Sequence, residues 1–249
     1  MAKIATISAE FLAACPVKNG FRLRGHDMTR IETFTDAAFA FAVTMLVISV
    51  DEIPGTFDEL LAALKGVPAF AACFAQIMLF WYAHLVWSRR FGLEDMPTVI
   101  LSCLLVFVVM VYIYPLKILF SSMFAYFSSG WLPSEMEIRS IEQLSQVFVI
   151  FGTGFVALSV VITSLNLYAL KSRQALALNP FEIFCTKEEV VGWGSVAIVG
   201  VFSILIALFA QSGYILFAGW IYMLLFFVGP LIDFVNRNER RRLSQDALQ

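Results

Sequence analysis

Histidine is nearly absent from this chain: His26 and His84 are the two in 249 residues. That excludes an HExxH helix and any multi-histidine metal centre. The four cysteines, Cys15, Cys73, Cys103 and Cys185, form no CxxC pair and no metal-type spacing, so neither a structural metal nor a disulfide framework follows. Cys73 and Cys103 fall inside apolar runs, where a free thiol behaves as a small hydrophobe. No P-loop, GxGxxG or GxSxG sequence occurs, which removes the usual nucleotide-binding and hydrolase signatures. An enzyme is therefore not expected, and neither is a cofactor. Charge is also scarce, at 14% of residues where a soluble domain carries about a quarter. A formal net charge of −2 gives no reason to expect a nucleic-acid partner.

What the chain has instead is apolar length. It is 60% hydrophobic with 25 Phe and a mean hydropathy of +0.82, and the excess is gathered into six runs. Each approaches the ~20 residues that a helix needs to cross about 30 Å of hydrocarbon. They span about Ile31–Val50, Val67–Trp87, Pro97–Leu119, Val147–Leu170, Val191–Ala210 and Tyr214–Val235. The fold class is an all-α membrane protein with six transmembrane helices and a bilayer as its partner. Residues 1–29 read as an N-terminal tail, 30–236 as the membrane domain and 237–249 as a basic C-terminal tail. Gln211-Ser-Gly213 is so short that the last two helices form a tight antiparallel hairpin. The connection from Phe120 to Gln146 reads as an interfacial loop with a short amphipathic helix.

Orientation follows from the basic residues. Fourteen of the seventeen Lys and Arg fall in the two tails, near Arg89 and Arg90, or between Lys171 and Lys187. Lys65, Lys117 and Arg139 lie on the other side. Both termini are thus expected in the cytosol, and an even number of spans agrees with this. Leu12-Ala-Ala-Cys15 resembles a lipoprotein cleavage box, but Glu10 interrupts the preceding stretch. Processing there would export the basic Arg22-Leu-Arg24 segment against the orientation, so a flexible cytosolic tail is expected in place of a lipidated Cys15.

The conspicuous feature is Arg30-Ile-Glu-Thr-Phe-Thr-Asp36 at the mouth of the first run. A charge within a span costs a few kcal/mol and marks a functional or structural site. Arg30 and Asp36 are six positions apart, so the two point different ways and need partners on other helices. Behind them Ala37, Phe41, Thr44 and Ile48 share one helical face, while the opposite side reads as Asp36, Ala40, Val43 and Val47. Ala38 and Ala42 form a small-xxx-small pair that allows close helix approach. An apolar face with one hydroxyl is ordinary packing unless several copies surround a common axis, when it lines a pore. A secondary or proton-coupled transporter using Asp36 and His84, and a non-conducting scaffold, remain as alternative classes. Gly152, Gly154 and Gly229-Pro230 do not match one another as the broken helices of an internal repeat.

Arg30-x-x-x-Phe34-Thr35-Asp36, opening the first of six spans, resembles the signature of the transmembrane protein 175 family of potassium channels. Phe80-Trp81-Tyr-Ala-His84 resembles the family's aromatic-plus-histidine ending of the second span. The resemblance implies a potassium-permeable channel without a TVGYG filter, and no such sequence occurs here. It implies a homotetramer of single-repeat chains, as in prokaryotic members, in a bacterial plasma membrane. By the same resemblance the pore is lined by helix one through Phe41, Thr44 and Ile48, with Met45 near that face. K⁺ would be bound transiently at a Thr44 ring, and Phe41 and Ile48 would form apolar collars. Arg30, Phe34, Thr35, Asp36 and His84 would form a structural hydrogen-bond network. The chain departs from the family at Phe41, where the first collar is commonly Ile or Leu.

Overall fold

Nine α-helices, two short 3-10 helices (Ser212–Tyr214 and Ile221–Leu224) and one small hairpin make up the described residues, 7–47 and 54–246, of the computed structural model. The elements are α1 (Ala9–Ala14), β1 (Val17–Lys18), β2 (Phe21–Arg22), α2 (Arg30–Val47) and α3 (Phe57–Leu64). They continue as α4 (Val67–Phe91), α5 (Met96–Phe127), α6 (Ile141–Lys171), α7 (Pro180–Phe209), α8 (Phe217–Trp220) and α9 (Leu225–Asp246). Among the described residues, five segments are long and apolar enough to cross a membrane: α4, α5, α6, α7 and the stretch Phe217–Arg240. α2 has 18 described residues, roughly 27 Å at 1.5 Å per residue, and carries Arg30, Glu32 and Asp36. Its expected continuation through Ile48 to Val50 lies outside the described residues.

The core lies where α4, α5 and α6 meet. Ile77, Phe80, Leu105, Leu116, Leu158, Ile162 and Leu165 are fully enclosed there. α2 docks on α4 and α5 through Phe39, Ala42 and Leu46, a 3–4 alternation that marks one face of a helix. α7 packs on α6 and α9 closes on α7. α6 runs unbroken through Gly152 and Gly154. A Cβ on Gly154 would sit 2.3 Å from the Tyr112 ring, so this glycine serves close packing.

Several expectations change. The loop after α5 has no helix of its own: α5 runs to Phe127 and α6 starts at Ile141. Lys117 and Glu135, 3.0 Å apart, fold that loop back onto α5. The short amphipathic helix is α3, between α2 and α4. Thr56 and Glu59 close it with a capping box, and Phe57, Leu60, Leu61 and Leu64 are all exposed, which suits a helix lying in the interface. α7 begins eleven residues earlier than its hydropathy suggests, at Pro180 behind the cap of Asn179. The flexible tail is, over its described part, a short helix and a hairpin. Asn19 and Gly20 turn the hairpin with φ of 51° and 81°, the left-handed pair that favours Asn-Gly in a two-residue turn.

Candidate functional site

α2 starts where Thr29 accepts the Glu32 N–H at 3.1 Å, a side-chain cap. From there its two faces diverge. Glu32, Thr35, Phe39, Ala42 and Leu46 are buried, while Arg30, Thr33, Phe34, Ala37, Ala40, Phe41 and Thr44 are exposed. Phe34 and Phe41 keep 54% and 56% of their surface open. Arg30, Phe34, Ala37, Phe41 and Thr44 thus form one continuous exposed stripe at steps of four and three. The face opposite it is centred on Phe39 and Ala42. Asp36 and Val43 flank that face half-buried and Ala40 is exposed, because 100° per residue carries them round to the sides.

The Thr44 hydroxyl donates to the Phe41 carbonyl at 2.7 Å. Its proton is therefore directed along the helix, and the oxygen lone pairs are left available to a cation. Met45 is half-buried beside the stripe. Ile48 lies outside the described residues.

The signature residues separate into two groups. Thr35, fully buried, donates to the Ile31 carbonyl at 2.8 Å. Asp36 accepts the Trp81 indole N–H at 2.8 Å, a charge-assisted bond from α4. One turn further along α4, His84 Nε2 and Ser102 Oγ of α5 lie 3.0 Å apart. Trp81, His84 and Ser102 thereby hold α2, α4 and α5 in register. Arg30 and Phe34 stand apart from this network, on the exposed stripe.

A family model described as "Endosomal/lysosomal potassium channel TMEM175" matches residues 30–115. A protein of Marivirga tractuosa described as "Potassium channel" is 34% identical over 234 residues, covering 91% of this chain and 94% of that one. The chain belongs to the TMEM175 family. A crystal structure of a threonine-to-alanine variant of the potassium channel MtTMEM175, in complex with a nanobody–MBP fusion protein, matches with a TM-score of 0.76 and 32% identity. That match covers 90% of this chain and 99% of the crystallised one. The TMEM175 assignment makes this a multi-pass membrane protein of a potassium-channel family, and not an enzyme.

Other polar pairs left no mark in the sequence pattern. Arg89 Nε lies 3.0 Å from Glu32 Oε1, and Arg24 meets Glu182 at 2.7 Å with both side chains buried. Arg90 pairs with Glu189 at 2.8 Å and Arg240 with Glu188 at 2.6 Å. The first part of α7 is thus an acidic rail that gathers arginines from the N-terminal segment, α4 and α9. A partner 158 residues away leaves no local pattern. The capping sequence Asn179-Pro-Phe-Glu182 was a readable helix start.

Proposed function

We propose that four copies of this six-span chain assemble with α2 innermost, forming a potassium-permeable pore in a bacterial plasma membrane with both termini in the cytosol. In this reading the stripe Arg30, Phe34, Ala37, Phe41 and Thr44, continued by Ile48, faces the common axis. Four Thr44 hydroxyls replace part of the hydration shell of K⁺, with no TVGYG filter. Phe41 and Ile48 constrict the path by size and by excluding water, and Met45 supports that wall. The carrying observation is the division of α2: one face is packed against α4 and α5, while the other leaves a stripe of small, aromatic and hydroxyl residues open. A closed ring of identical subunits covers such a face on every copy.

Purified protein in liposomes should carry K⁺ flux. Phe41→Ala should raise it on the order of tenfold, equivalent to a barrier lower by about 1.4 kcal/mol, and Phe107→Ala on α5 should not. Unchanged flux in a folded Phe41→Ala tetramer overturns the pore reading. A proton-coupled carrier finds less support, since Asp36 and His84 engage Trp81 and Ser102 and form no direct relay. It would show as saturable uptake driven by a pH gradient.

A further inference from the structure

Residues 21–26 lie between two frames before the chain enters α2. On one side is the α6–α7 turn. All five N–H groups of Arg24 find acceptors, four of them on that side: Nε donates to the Leu176 carbonyl at 2.8 Å, and Nη1 to Glu182 Oε1 at 3.1 Å and, within its own segment, to Arg22 O at 3.2 Å. Nη2 completes the set on Ala177 O and Glu182 Oε2 at 3.3 and 2.7 Å. Glu182 in turn also accepts from the backbone N–H groups of Arg22 and Asn179 at 2.9 and 3.0 Å. A buried ion pair with every donor matched in fork geometry is a fixed point.

On the other side is the end of α4. Gly25 N donates to Arg89 O at 3.1 Å and Arg24 N to Arg90 O at 3.4 Å, while Arg89 Nη1 donates to the carbonyls of Gly25 and His26 at 3.3 and 3.2 Å. The approach is so close that a Cβ on Gly25 would lie 2.2 Å from Ser88 O. The same Arg89 reaches Glu32 in the first turn of α2. Glu32 is 1% exposed and points away from the stripe. Its Oε1 has no hydrogen-bond donor among the described residues, so this last link is held by charge.

We infer that Arg24, Glu182, Arg89 and Glu32 are positioning residues for conduction: the first pair anchors the segment to α6–α7, and Arg89 carries that anchor to the base of the pore helix. The inference rests on the proposed α2 pore. Glu32 precedes Phe41 by nine residues, about 14 Å of helix, so traction on Glu32 toward α4 holds the base of α2 off the axis. Releasing it lets the base move inward, together with Arg30 on the same turn, and narrows the cation path.

The test measures K⁺ flux per tetramer in liposomes, with thermal unfolding recorded in parallel. Glu32→Gln and Glu182→Gln should each lower flux at least threefold while tetramers persist, and the double variant should lower it little further, because the two act in series. Arg89→Lys keeps the charge and loses the fork; it should fall between, and it carries the test if Glu182→Gln does not assemble. Lower unfolding temperatures with unchanged flux per tetramer overturn the inference and leave the pore reading intact. Phe41→Ala is the companion control: if it also leaves flux unchanged, the pore reading falls and the inference falls with it.

Discussion

Two helices of this molecule expose stripes with the same spacing and opposite chemistry. α5 presents Ile100, Leu104, Phe107, Val111 and Tyr114, all bulky and between 42% and 65% open. α2 presents Arg30, Phe34, Ala37, Phe41 and Thr44 at the same alternation of four and three. Hydrocarbon tails accept the first set without cost, since they are as apolar as leucine. They do not accept an arginine, and they gain little from alanines and a threonine. Exposure in a single chain therefore means two things here. On α5 it fits a lipid face, and on α2 it fits the face proposed to meet other copies.

Lysine substitutions should separate the faces most strongly. Phe107→Lys places an ammonium in hydrocarbon and should cost about 2.5–3.5 kcal/mol in insertion, read as lost yield and lower thermal stability in detergent. Thr44→Lys should insert nearly normally and abolish K⁺ flux, because its charge stands in the ion path. Equal insertion losses at both positions would erase the distinction. A smaller effect is expected where α2 is fastened. Trp81→Phe removes a hydrogen bond to a charged group, worth about 1.5–3 kcal/mol, and Asp36→Asn keeps the acceptor but loses the charge that strengthens it; both should reduce the tetramer fraction in size-exclusion chromatography. A normal tetramer with lost flux would move Asp36 from packing to transport. Smallest of all, Leu104→Val should change stability by less than about 0.5 kcal/mol and leave flux untouched, as a tolerant lipid face requires.

Much of this was legible because membrane spans announce themselves by length. Four of the apolar runs became α4, α5, α6 and α7, and the periodicity of residues 37–44 put Phe41 and Thr44 on one face, as observed. The readings that failed have separate causes. Lys187, Glu188 and Glu189 masked the first three turns of α7, although Asn179-Pro180 marks its start. Phe124, Tyr126 and Phe127 suggested an interfacial loop where α5 simply continues. Asn19-Gly20 carried a hairpin signal inside a stretch expected to be a tail. The pairs around Arg24 and Arg89 were beyond reach, since Arg22 and Arg24 read only as charge for orientation. Trp81 stood within the recognised pattern, but its role depends on which side of α4 meets Asp36, and that is set by packing.

The Arg24–Glu182 pair also sets an order of assembly. α2 is synthesised before the other long helices, bearing Arg30, Glu32 and Asp36, yet Trp81 and Arg89 follow it by about fifty residues and Glu182 follows Arg24 by 158. At about 5–20 residues per second, roughly 8–30 seconds pass on the ribosome between Arg24 and its partner. Through that interval the segment that leads into α2 lacks its anchor on α7. The first long helix made is held by α4 first, and the segment ahead of it is fastened only when α7 emerges.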